Sequence, residues 1–307
     1  MSEAPALPAG VHLLERGWLS SNNIVLIGPD STALVDSGYC THTAQTLALV
    51  QGVLGERPLD QLANTHLHSD HCGGNAGLQD RYPLLETLIP PGHAAQVQDW
   101  DATALSYTPT GQSCPRFSID ALLLPGQEVN LAGELWQVHA AAGHDPHSVI
   151  LFHAPSRTLI SADALWENGF GVVFPVLDGI EAFDDVAMTL DLIESLGARC
   201  VIPGHGRAFS DVDQALRYAR RRLEGFAANP TKHGMYAAKV LLKFRLLELQ
   251  QCELGELIQW ALASAYFRTL HQLLGIDVSL SVWVDQLTND LVTSKAAVRQ
   301  GTRVVNL

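Results

Sequence analysis

Over the first 40 residues the apolar positions fall in short runs, too brief for helices. Val11–Arg16, Asn23–Ile27 and Thr32–Val35 are separated by Ser-Ser, Gly-Pro-Asp and Ser-Gly punctuation, which predicts antiparallel strands joined by tight turns. Leu47, Val50, Val53 and Leu54 then recur at helical spacing and predict a helix over Thr43–Leu54 that Gly55 stops. Further strands are expected at Leu59–Thr65, Glu134–His139, Ser148–His153, Thr158–Ser161 and Cys200–Ile202, with a helix over Phe183–Leu196 between the last two. Two sets of strands with helices between them predict a layered α/β fold. From about Asp211 the texture becomes helical, with helices expected over Ala215–Gly225, Tyr236–Leu249, Glu256–Ala265 and Val282–Thr293. The expected division is a body over 1–212 and a helical region over 213–307.

Composition narrows the class. At 307 residues the chain buries a sizeable core without a disulfide scaffold, and its five Cys (Cys40, Cys72, Cys114, Cys200, Cys252) lack CxxC spacing, as reduced thiols would. No apolar stretch is long enough to span a bilayer, and the opening MSEAPALPAG has neither the basic nor the apolar region of a secretion signal. No membrane association and a cytoplasmic location are expected. The formal net charge of −13 divides unevenly: residues 1–212 carry 7 Arg, no Lys and 24 acids, while 213–307 carry 12 bases and 8 acids. A body at −17 is a poor start for nucleic-acid binding, and a tail at +4 supports it only weakly.

The densest chemistry lies in Thr65-His66-Leu67-His68-Ser69-Asp70-His71-Cys72-Gly73-Gly74. At a strand end, residues i and i+2 share a face, so His66 and His68 can reach one cation. The turn that follows presents Asp70 and His71 to a neighbouring position. Three imidazoles and a carboxylate packed together without an ion would be electrostatically awkward. Three later segments each bring one more ligand type to a strand terminus: His144 in AGHDPHS, Asp163 in LISAD and His205 in VIPGHG. Singly, each is an ordinary turn residue; their order after HxHxDH makes them a set.

This set, with the opening strands SNNIVLIGPDSTALVDSG, resembles the metallo-β-lactamase fold superfamily over roughly residues 10–210. The resemblance implies an αββα sandwich with a C-terminal helical appendage. It also implies two divalent ions, one held by His66, His68 and His144. The other would be held by Asp70, His71 and His205, with Asp163 bridging. A metal-bound hydroxide would then attack the substrate carbonyl, and Asp70 would orient the nucleophile and handle its proton. Nitrogen and oxygen ligands without thiolate suit Zn²⁺ first, and Fe²⁺ or Mn²⁺ as well.

Around this set, His147 reads as a substrate or supporting residue, and the apolar loop carrying Trp166, Phe170 and Phe174 as a pocket wall suited to a partly apolar ligand. Cys72 reads as packing, and Arg220-Arg221-Arg222 as a solvated helix face. His12, His42, His93, His139, His153, His233 and His271 lack motif context. Glyoxalase II is similar in all seven ligands and in having a helical appendage, but its basic glutathione-holding cluster has no match here. The expected function is a dinuclear metal-dependent hydrolase of small esters, thioesters or lactones, with a homodimer compatible with it. The alternative is an endoribonuclease or phosphodiesterase whose tail is a winged-helix-like nucleic-acid module.

Overall fold

The inner strands of both sheets are buried at nearly every position because both of their faces are covered. The computed structural model describes residues 5–307. Its first sheet runs in sequence order: β1 (Val11–Leu14), β2 (Asn23–Ile27), β3 (Thr32–Val35), β4 (Gln61–Ala63), β5 (Glu86–Ile89) and β6 (Ala121–Leu122). β1–β3 pair antiparallel and β3–β6 parallel. The second sheet has β7 (Glu128–Leu131), β8 (Glu134–Ala140), β9 (Val149–His153), β10 (Thr158–Ala162) and β11 (Cys200–Pro203), with β11 parallel to β10 at one edge. Among the helices, α1 is Thr43–Leu54, α2 Ser69–Cys72, α3 Asn75–Arg81, α4 Ala94–Asp99, α5 Tyr107–Thr110, α6 Phe174–Leu177, α7 Phe183–Leu196 and α8 Val212–Ala228.

Alternation along each strand separates the layers. Ile24, Leu26, Ala33 and Val35 face Val138, Val149, Leu151, Ile160 and Ile202 across the sandwich. Val25, Leu34 and Leu62 turn outward onto α1 and α3 through Val50, Leu54 and Leu78. Ile150, Phe152, Leu159 and Val201 turn outward onto α7 and α8. The architecture is the expected αββα sandwich.

The change of core comes later than expected. Ala215, Leu216, Ala219 and Leu223 of α8 pack with Leu190 and Ile193 of α7, so this helix belongs to the sandwich. Asn229 ends α8 and caps the next helix by accepting the Lys232 N–H, with Pro230 at its first position. The second core begins there and gathers Ala237, Leu241 and Leu246 with Leu257, Phe267, Trp283 and Val304. Its helices are α9 (Pro230–Leu249), α10 (Leu254–Ala263), α11 (Ala265–Leu273) and α12 (Leu280–Thr293).

A third sheet, β12 (Gln251–Glu253), β13 (Ala297–Gln300) and β14 (Arg303–Asn306), lies in the order β12-β14-β13 and adds three short strands to the expected helical appendage. These strands are three or four residues long and each has only one buried position, Cys252, Ala297 or Val304, too few to show a period. A helix, a short strand, further helices and a closing hairpin make a winged-helix-like arrangement. Among the described residues no helix is long and apolar enough to cross a membrane.

Candidate metal centre

All seven candidate ligands sit just beyond strand ends, where the backbone leaves a sheet. His66 follows β4 closely, and His68 is the N-cap of α2, which carries Asp70 and His71. A Cβ on Gly74 would stand 2.5 Å from the Ser37 carbonyl oxygen, so only glycine lets this turn lie against the end of β3. His144 lies in the β8–β9 turn, Asp163 directly follows β10, and His205 follows β11. Ala162 holds φ +46, an unusual left-handed conformation at the residue that aims Asp163.

The structure brings the seven into two groups, His66–His68–His144 and Asp70–His71–Asp163–His205, each with ligand atoms within 4.8 Å of one another. In the first, His68 Nδ1 lies 3.1 Å from His66 Nε2 and 2.8 Å from His144 Nε2. In the second, His205 Nε2 lies 3.1 Å from Asp70 Oδ2. Asp163 Oδ2 stands between the groups, 3.4 Å from His144 Nε2, 3.5 Å from His71 Nε2 and 3.7 Å from His205 Nε2.

Electrostatics fit a cation. Burial, followed by the neighbouring imidazoles, holds His66 well below its ordinary pKa and brings His68 down to about 4, leaving both neutral. Burial opposes ionisation of Asp163, but His205 and His71 hold its carboxyl well below the usual range. Burial likewise acts against Asp70, yet His71 and His205 bring it down. His71 is the exception: burial disfavours its charge, but Asp36, Asp163 and Asp70 raise it well above normal. Its Nε2 is nonetheless buried without a hydrogen-bond partner. Converging imidazole nitrogens, ionised carboxylates and an orphaned Nε2 make a donor set that divalent cations fit.

Asp36 orients this set and was not singled out from the sequence. It is buried, holds φ +58, and accepts the Thr65 N–H at 2.9 Å. Its other oxygen lies 2.8 Å from His71 Nδ1, which turns Nε2 towards the centre. Asp36→Asn is expected to weaken metal affinity about 10- to 100-fold with little change in fold, measurable by competition with a chelating dye.

Trp18, Trp166, Phe174, Val172 and, from α9, Tyr236, Val240, Leu241 and Phe244 wall the cleft above the centre. It encloses only about 90 Å³. Trp166 donates from Nε1 to Asp163 Oδ1 at 3.1 Å, and Trp18 stacks on His205 with ring centroids 5.3 Å apart. Trp166 and Phe174 both line this cleft.

Two expected wall residues do not. Phe170 is 1% exposed and packs into the sandwich core beside Phe226, because its backbone neighbours Gly171 and Val172 take the cleft-facing positions. His147 is exposed and meets His93 edge-on at 4.5 Å, away from the cleft walls. Cys72 is buried, its Sγ 3.2 Å from the Tyr107 hydroxyl and outside both candidate ligand groups.

The tail closes the cleft through specific contacts. Tyr39 donates to Glu248 Oε1 at 3.0 Å, Trp260 Nε1 to the Gly111 carbonyl at 3.2 Å, and Ser264 Oγ to the Pro109 carbonyl at 2.9 Å. His233 on α9 accepts the Val173 N–H through Nε2 at 3.1 Å, so its proton sits on Nδ1. Burial, then Arg222, pushes the pKa of His233 down to about 4. The unfolded chain binds that proton near pH 6.5, so the native state refuses it across the interval between. The stabilising contribution is complete above about pH 6.5 and is lost as pH falls towards 4, an effect on the order of 3 kcal/mol. Urea unfolding at pH 7 and 5 should therefore show a steeper acid loss for the wild type than for His233→Gln.

With this geometry in place, comparison with known proteins gives the class. The family model of the metallo-beta-lactamase superfamily matches residues 16–205, more than half of the chain. The chain belongs to that superfamily, a family of metal-dependent hydrolases. A hydroxyacylglutathione hydrolase from Synechococcus sp. (strain JA-2-3B'a(2-13)) is 29% identical over 148 residues, covering 44% of this chain. The match spans about half of that relative, 51% of its length. Among solved structures, a metallo-beta-lactamase family protein from Thermus thermophilus (TTHA1429) aligns over 98% of this chain and 100% of its own, at 20% identity and a TM-score of 0.59. The FEZ-1 metallo-beta-lactamase from Legionella gormanii covers 76% of this chain and 99% of its own, at 13% identity and a TM-score of 0.58. TTHA1623, solved in a di-iron-bound form, covers 68% and 98%, at 22% identity and a TM-score of 0.53. At these identities the structures show a shared fold.

Proposed function

We propose that the chain is a dinuclear metal-dependent hydrolase of small acyl compounds, namely esters, thioesters or lactones. The observation that carries this reading is Asp163 standing between two ligand groups at the floor of a cleft that α9 narrows to about 90 Å³. His66, His68 and His144 would hold one ion, Asp70, His71 and His205 the other, and Asp163 both. The chemistry such ions supply is Lewis-acid polarisation of a carbonyl and activation of water. Zn²⁺ suits the donor set, as do Fe²⁺ and Mn²⁺.

The protein's own residues supply orientation and exclusion. Asp70 engages His205 through Oδ2, and Oδ1 remains able to accept a hydrogen bond from water and take its proton. Phe174, Val172, Val240 and Phe244 keep bulk water from the reacting carbonyl and suit an apolar acyl group. The relative named as a hydrolase of hydroxyacylglutathione, itself an acyl compound, supports this substrate class.

The winged-helix-like tail favours the nuclease reading, but its chemistry weighs against it. Helix α12, which precedes the hairpin, carries Asp285 and Asp290 and no Lys or Arg. Arg299 on the hairpin lies 2.9 Å from Asp285 Oδ1, and Arg303 faces Glu253. A nucleic-acid face requires unpaired bases where these are neutralised. Metal-reconstituted protein should hydrolyse thioesters or lactones in preference to bis-aryl phosphodiesters and single-stranded RNA. Turnover confined to the phosphodiester or RNA would overturn the acyl assignment.

A further inference from the structure

Between α8 and α9 lies a second cleft of about 560 Å³, within the usual range for small-molecule sites, whose charge contrasts with the body around it. Arg221, Arg222, Lys232 and Lys239 line it together with the rings of Tyr218, Phe226 and Tyr236, and none of its lining residues is acidic. This occurs beside a body whose 1–212 segment carries −17.

Arg222 is the centre of the feature. Its guanidinium carbon lies 4.5 Å from the Tyr236 ring centroid, 5.2 Å from that of Phe226 and 5.6 Å from that of Phe170. Its Nε and Nη2 are buried with no hydrogen-bond acceptor, and no carboxylate among the described residues pairs with it. Arg220 shows the contrast: it lies 2.6 Å from Asp191 Oδ1 and 2.7 Å from Glu194 Oε2. The three successive arginines do fan around the helix: Arg220 turns to α7, Arg221 lies at the exposed rim of the cleft and Arg222 turns into it. Arg221 sits over Tyr218 and Lys232 near Gly225, neither paired with an acid, while Lys239 reaches Asp290 only at 3.5 Å. Three cations that no carboxylate among the described residues pairs with share one ring-walled cleft, a setting that suits an anion.

The cleft adjoins the metal centre. Tyr236 borders both spaces. The Cβ position of Gly169 is 3.0 Å from Arg222 Nη1, and that of Gly171, two residues on, falls against the His144 ring. Two residues span at most about 7 Å. Tyr236 and the 169–171 loop thus set the two spaces side by side, so a substrate with its acyl end at the metals would reach the larger cleft by passing Tyr236.

We propose that the α8–α9 cleft binds a phosphate-bearing group on the non-acyl part of the substrate. A phosphomonoester carries close to two negative charges at neutral pH and three acceptor oxygens, matching several cations better than a single carboxylate does. This assignment rests on the acyl-hydrolase reading for the identity of its ligand as a substrate, whereas anion binding by the cleft is measurable on its own.

The test uses the metal-loaded full chain and two matched thiols, one ending in a phosphomonoester and the other in the free hydroxyl, together with their acetyl thioesters. By calorimetry the phosphorylated thiol should bind at least about 10-fold more tightly than its hydroxyl counterpart. The preference should fall towards unity in Arg221→Gln/Lys232→Gln, whose side chains lie at the rim, and in Arg222→Gln. Unfolding curves on both variants verify the fold, and the rim variant keeps the test valid if Arg222→Gln does not fold. A matching preference in kcat/KM for the phosphorylated thioester, lost in the same variants, supports the handle assignment. Equal binding of the two thiols overturns the cleft assignment even if thioesters are hydrolysed. Arg221- and Lys232-dependent binding without thioester turnover supports the anion site and rejects the acyl-hydrolase reading instead. Inorganic phosphate binding as tightly as the phosphorylated thiol, or short RNA displacing that thiol, overturns the handle in favour of a free anion or a nucleic acid.

Discussion

Asp163→Ala is expected to lower bound metal from two ions per chain to one or fewer and to reduce kcat at least about 10³-fold. The reason is geometric: among the described residues, Oδ2 of Asp163 is the one carboxylate oxygen within 3.4–3.7 Å of imidazole nitrogens from both ligand groups. Removing it would take a ligand from both proposed ion positions at once, and it leaves Trp166 Nε1 without its acceptor. Elemental analysis and steady-state kinetics on the same preparation check this. A folded variant that retains two ions and near-normal turnover would remove the bridging role. Ligand linkage gives an independent readout, because metal at a hundredfold excess over its Kd should stabilise the wild type by about 2.7 kcal/mol for each ion bound, and the variant by correspondingly less.

Asp70→Asn preserves size and one oxygen while removing the charge. A loss in kcat of about 10²–10⁴ is expected, the range for a positioned acid–base group, with a smaller effect on metal content than Asp163→Ala produces. His205 and His71 hold the Asp70 carboxyl ionised in a buried setting, which keeps it able to accept a proton from water. Unchanged kcat would assign Asp70 to metal holding alone.

How much of this was legible in the sequence depended on how local the interactions are. His66, His68, Asp70 and His71 fall within six residues, so their spacing alone brings them together. His144, Asp163 and His205 were legible only as a series, each at the end of an apolar run. Helices Thr43–Leu54 and Phe183–Leu196 fall where their spacing placed them, since each packs one stripe on a sheet. Asp36 was hidden because Val-Asp-Ser-Gly reads as a turn; its reach to His71 depends on β3 lying beside β4 with Val35 opposite Ala63. Phe170 was misplaced because the direction of a side chain in an irregular loop follows no period. The cover formed by Tyr236, Val240 and Phe244 was equally hidden, because the apolar spacing of α9 predicts a helix and not what it lies upon. Arg222 read as solvated because nothing local to α8 announces the rings of Phe170 and Tyr236 that enclose it.

The most direct measurement on the central claim is the metal content of the purified chain after reconstitution and removal of excess ion, by elemental analysis. Two divalent ions per chain are expected, with turnover of acyl substrates lost on chelation and restored on their return. One ion or none at full reconstitution, or acyl turnover that persists without metal, would contradict the dinuclear assignment.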